Sequence, residues 1–99
     1  MTPMETLFLI YDEALQAEVS AVIEAEMVVP RYTRIDDVIG ARMAEREAES
    51  GYLADRRNRM IVVVAETATV DRLVADLAAL RARKGHGLRA FVVPTRMVI

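Results

Sequence analysis

Residues 58–93 read NRMIVVVAETATVDRLVADLAALRARKGHGLRAFVV, and two changes of pattern within them decide the fold. Met60 to Val64 is an unbroken apolar run dominated by β-branched residues, which suit a pleated, buried strand. The period then changes. Val70, Leu73, Val74, Leu77 and Leu80 recur at i, i+3, i+4 and i+7, the stripe of an amphipathic helix. Thr67 or Thr69 is placed to cap that helix, and Gly85 stands where glycine commonly ends one. After the turn KGHGLR, a second apolar run from Arg89 to Val93 makes another strand. This half of the chain is strand, helix, strand.

The other half repeats the order. Leu7 to Tyr11 is a strand-length apolar run, and Asp12 can cap the helix after it. Leu15, Val19, Val22 and Ile23 give that helix one apolar face. Val28 to Ile39 reads as extended, with Pro30 at an edge or entry position and Gly40 closing the segment. Residues Gly40 to Arg57 form a long excursion; Arg42 to Ser50 has helix propensity but no packing face. Excursions of this length in small domains are usually functional or disordered. Met97 to Ile99 is a short apolar tail.

The element order is therefore βαββαβ, the split-βαβ or ferredoxin-like arrangement of the α+β class. Right-handed crossovers put both helices on one face of a four-stranded antiparallel sheet. In Leu7 to Tyr11 and Met60 to Val64, residues of both parities are apolar, so both faces of the sheet call for burial. Two helices cover one face. A second copy of the chain is the expected cover for the other, which predicts a homo-oligomer with its sheets turned inward.

Composition limits the function. Ninety-nine residues suit one domain. The absence of cysteine excludes disulfides, thiolate catalysis and cysteine-ligated zinc. No apolar run is long enough to cross a bilayer, and Glu5 and Asp12 flank the N-terminal apolar run, unlike a signal peptide. A cytoplasmic protein with no membrane insertion is expected. The net charge of −2 argues against nucleic-acid binding. No Ser/His/Asp set and no metal-ligand spacing emerges, so an enzyme is not expected.

The charges that remain are patchy. Arg81, Arg83, Lys84 and Arg89 surround the glycines of the 84–89 turn. Cations at a helix C-terminus ordinarily complement its dipole. Beside Gly85 and Gly87, whose backbone can turn N–H groups toward a ligand, they would equally suit an anion. His86, the single histidine, cannot build a metal site within one chain, though it would add a pH-dependent charge to the turn. Arg56, Arg57 and Arg59 are expected to pair mostly with Glu45, Glu47 or Glu49 on the surface. The methionines Met27, Met43, Met60 and Met97 are too dispersed for a soft-metal site and suit gap filling.

Across nearly its whole length the chain resembles the PII-like superfamily of trimeric regulators. The resemblance is carried by NRMIVVVAET, the amphipathic helix, the glycine turn and RAFVVPTRMVI, with YTRIDDVIG leading into the excursion. It implies one PII-like domain over residues 1–99, a homotrimer, and clefts between subunits that bind ADP, AMP or ATP. Residues 40–57 would correspond to the T-loop, which engages a transporter or enzyme as protein target. Residues 84–89 would correspond to the phosphate-cradling B-loop. Carried over by position, the nucleotide-binding residues would be Gly40 at the T-loop base, Val63 near the adenine, and Gly85, Gly87 and Arg89 around the phosphates; Lys84 and His86, read from the charge of the same turn, complete the candidate set. Some members accompany bicarbonate transporters, so bicarbonate is a conceivable second ligand. Gly40-Ala41-Arg42 lacks the second glycine typical of the T-loop base, and the sequence ends at Ile99, before the family's phosphate-contacting arginines. The second departure weakens the expectation of ATP more than that of AMP or ADP. The alternatives are a docking protein with a degenerate nucleotide site and a divalent-metal-responsive protein similar to the CutA-like group.

Overall fold

A computed structural model describes residues 2–28, 31–38 and 57–99. Its elements are β1 (Met4–Asp12), a short 3-10 turn (Glu13–Leu15), α1 (Gln16–Glu26), β2 (Thr33–Val38), β3 (Asn58–Glu66), α2 (Thr67–Lys84) and β4 (Leu88–Thr95). The strands are ordered β2-β3-β1-β4, and every pair is antiparallel. This is the ferredoxin-like βαββαβ arrangement, with the two long apolar runs, β1 and β3, as the central strands.

Side-chain parity divides the sheet into two unlike faces. On the helix side, Leu7, Leu9 and Tyr11 of β1, Ile61 and Val63 of β3 and Leu88 of β4 are buried. They form one core with Leu15, Val19 and Ile23 of the first helical region and Val70, Leu73, Leu77 and Leu80 of α2. Val74, expected in that stripe, is 37% exposed. At 100° per residue it lies about 80° from the centre of the other four, on the flank of α2.

Helix ends depend on contacts that local spacing does not reveal. Asp12 caps the 3-10 turn rather than α1 itself, its carboxylate accepting the Ala14 N–H at 2.9 Å. At the start of α2 the expected threonine cap is not formed. Thr67 is already helical, Glu66 holds the cap position without a side-chain bond, and the Thr67 N–H donates instead to the Pro3 carbonyl at 3.2 Å. A distant backbone group thus satisfies one of the donors that a helix start leaves unpaired. At the other end Gly85 adopts φ 83° and its N–H returns to the Arg81 carbonyl at 2.7 Å, as expected for a left-handed cap.

The expected extended segment from Val28 to Ile39 contains a shorter strand, β2, and Val28 is fully exposed. Pro30 and Ile39 lie outside the described residues. Between Ile35 and Val38 the pairing with β3 gains one residue, a bulge in which Asp37 takes a positive φ of 59°.

The second face of the sheet is apolar and, among the described residues, nothing covers it. By register it carries Phe8 and Ile10, Met60, Val62 and Val64, Phe91 and Val93, and Ile35. Phe91 is 51% exposed, Val93 42% and Ile35 43%. The rings of Phe8 and Phe91 stack with centroids 5.1 Å apart. No helix among the described residues is long and apolar enough to cross a membrane.

Candidate functional site

The turn between α2 and β4 sits at one end of the sheet, against the end of β1. Gly85 and Gly87 both have left-handed backbone, with φ of 83° and 85°, a conformation in which a Cβ is strained. Their surroundings differ. A Cβ on Gly85 would meet nothing within 4 Å, whereas one on Gly87 would lie 3.3 Å from Leu15 Cδ1 and 3.4 Å from Asp12 Cβ. The Gly87 carbonyl accepts the Asp12 N–H at 2.8 Å, which seats the turn on β1.

The cations around the turn divide into two groups. Arg81 turns back to donate from Nε to the Leu88 carbonyl at 2.9 Å. Lys84 Nζ pairs with Glu18 Oε2 at 3.1 Å, and its hydrogen bond holds the Glu18 carboxyl below the usual range. These two serve the packing of α2 against β4 and α1. Arg83, His86 and Arg89 are exposed and make no hydrogen bond or ion pair among the described residues. Arg89 lies opposite Ile10 on the uncovered face of the sheet, so it stands apart from the helix-side core. Leu88, directly after Gly87, is buried.

Val63 is fully buried on the helix side, opposite Leu7. Its side chain therefore belongs to the core. Its backbone is a different matter, because β2 pairs with β3 only as far as Thr33 and Val62. From Val63 to Glu66 the outer edge of β3 has no strand partner among the described residues, leaving backbone groups available there. Gly40 and the glutamates Glu45, Glu47 and Glu49 lie outside the described residues.

A polar cluster that the sequence reading did not assemble lies at the same end. Tyr11 donates its hydroxyl hydrogen bond to Gln16 Oε1, and Arg59 Nη1 donates to the same oxygen at 2.8 Å. Gln16 Nε2 continues to Ser20 Oγ at 2.8 Å. Asp36 Oδ1 lies 2.9 Å from Arg34 Nε and 3.5 Å from Arg59 Nε, while Asp37 pairs with Arg57 at 3.3 Å. Burial pushes the Tyr11 phenol above its ordinary value, and the Arg59 and Arg34 guanidiniums offset part of that rise. Among the described residues, the acids facing Arg57 and Arg59 thus come from the IDD of β2. The available signal was antiparallel pairing: strands flanking a long connection bring their facing ends together. Without the register, Asp36 could not be matched to Arg59.

No protein-family profile matches this chain, and no curated protein matches it in sequence. Solved structures do match in shape. CPII from Thiomonas intermedia K12, solved bound to ADP, AMP and acetate, is 16% identical with a TM-score of 0.70, over 97% of this chain and 91% of that one. A candidate PII-like signalling protein from Thermus thermophilus is 11% identical with a TM-score of 0.68, over 95% and 87%. A DUF3240 family protein from Shewanella baltica is 13% identical with a TM-score of 0.69, over 99% and 96%. At these identities the likeness is one of fold, and it spans nearly the whole chain.

Proposed function

We propose that residues 1–99 form one PII-like domain that assembles as a homotrimer and acts as a non-enzymatic signalling protein. It binds an adenine nucleotide or a similar anionic metabolite in clefts between subunits. It signals to a protein target, a transporter or enzyme, through the 40–57 segment. The observation that carries this reading is the near full-length fold likeness to CPII, a protein solved with ADP and AMP bound. The uncovered apolar face supports assembly, since apolar surface on this scale usually marks a protein interface. Arg89, at the edge of that face beside the glycine turn, then stands at the rim of a contact between copies. A cation placed there without a partner is stabilised by an anion. The outer edge of β3 from Val63 onward, unpaired among the described residues, supplies backbone groups that an adenine edge can use.

The docking alternative draws on different residues. Lys84 and Arg81 are engaged within the fold and Leu88 is buried, so the turn offers fewer free cations than its sequence suggests. In that reading the trimer forms and the 40–57 segment docks without a nucleotide.

Calorimetric titration with AMP, ADP and ATP, with and without magnesium and bicarbonate, separates the two. Micromolar binding of one nucleotide, weakened at least about tenfold in Arg89→Ala while the oligomer mass is unchanged, supports the sensor. Flat traces on an intact trimer refute nucleotide sensing and leave docking.

A further inference from the structure

Contacts from three parts of the fold converge on the end of β1. The Asp12 N–H donates to the Gly87 carbonyl at 2.8 Å, and the Glu13 N–H donates to the Arg57 carbonyl at 3.2 Å. One residue earlier, the Tyr11 hydroxyl donates to Gln16 Oε1, the oxygen that also accepts from Arg59 Nη1. Arg59 in turn faces Asp36 of β2. Asp12 adds a fourth link, since its carboxylate starts the helical region through Ala14. The glycine turn, the start of α1 and the entry to β3 therefore meet on a single tripeptide, and the end of β2 is joined to it through Asp36, Arg59 and Gln16.

This junction has little slack. Gly87 packs so closely that even a methyl group there would crowd Leu15 and Asp12. The Tyr11 side chain is buried, and the Nε of Arg59 is buried without a hydrogen bond among the described residues. A buried polar network has few alternative arrangements, because moving one member strands another. Displacing the turn would move Asp12. Any shift of Asp12 reaches Tyr11 and Glu13 through the backbone, and from them the Arg57 and Arg59 side of the sheet.

We infer that Tyr11, Asp12 and Glu13 couple the 85–87 turn to the Asp36–Arg59 end of β2 and β3, with Gln16 as the positioning residue at the centre. The role of this coupling in signalling rests on the proposed function; the coupling itself does not. Coupling requires that one end respond when the other is perturbed.

Amide hydrogen exchange on the intact, ligand-free protein reads that response. Gln16→Ala is expected to speed exchange at the Asp12 and Glu13 amides about tenfold, the scale of one lost hydrogen bond. The Leu9 and Ile61 amides in the sheet centre stay at wild-type rates. Gln16→Glu keeps an acceptor for Tyr11 and Arg59 and is expected to restore protection. Asp36→Asn, which removes the carboxylate facing Arg34 and Arg59 and touches neither Gln16 nor the turn, is expected to speed exchange at Asp12 as well. Changes confined to α1 would overturn the inference. So would a uniform acceleration that includes Leu9 and Ile61, since that would mark Gln16 as a general stabiliser. Because no ligand is added, flat nucleotide titrations would refute the sensor and leave this result standing, and the reverse holds too.

Discussion

Replacing Phe91 with aspartate tests whether the bare face of the sheet is where copies meet. Phe91 is 51% exposed in the single chain and stacks on Phe8. A buried aromatic side chain removes on the order of 200 Å² from water, so association would cover about half of that on each copy. At about 25 cal/mol per Å², this is ~2.5 kcal/mol per copy, or ~7.5 kcal/mol over three copies. The carboxylate adds an unpaired charge to an apolar contact, which raises the cost further. Sedimentation equilibrium measures the outcome directly. The wild type is expected to sediment as three 11.1 kDa chains at micromolar concentration. Phe91→Asp is expected to sediment as one chain with an unchanged far-ultraviolet circular dichroism spectrum, because the side chain contributes only half its surface to the monomer. A monomeric wild type over the whole concentration range would refute the reasoning. A Phe91→Asp protein with wild-type mass would refute it equally.

Three further expectations follow from single contacts. Gly87→Ala is expected to cost more stability than Gly85→Ala in chemical denaturation. Both suffer the left-handed penalty of about 1–2 kcal/mol, but only Gly87 also crowds Leu15 and Asp12. Asp12→Ala removes the cap on Ala14 and is expected to lower stability by about 1 kcal/mol in the same assay. The third concerns pH. The neighbouring Asp76 carboxyl, with desolvation, raises the Glu26 carboxyl above its usual value, and Arg72 offsets part of the rise. A raised carboxyl favours the protonated folded form, so this contribution is present below the unfolded glutamate value and is lost as pH rises through the folded one. Asp76→Asn is therefore expected to raise the melting temperature at neutral pH and to flatten its dependence over that window. An unchanged pH profile in thermal melts would show that the two carboxyls do not interact.

The order of elements and the two-faced sheet were legible in the sequence because both are local patterns. Alternating burial in a strand is carried by parity, so Leu7 to Tyr11 and Met60 to Val64 already showed apolar residues on both sides. Helix periodicity likewise identified Val70, Leu73, Leu77 and Leu80, and Gly85 marked the end of α2. Val74 was the exception, since a one-dimensional stripe does not say how wide a face the sheet will cover. What the tertiary structure decided were the pairings between distant segments. The Pro3 carbonyl took the place of a threonine cap, and Asp36 and Asp37 became the partners of Arg59 and Arg57. Of the cations at the glycine turn, Arg81 and Lys84 were drawn into the fold, while Arg89 was set on the open face. Those outcomes depend on strand register and helix placement. Periodicity assigns a residue to a face; only the packed chain determines what that face meets.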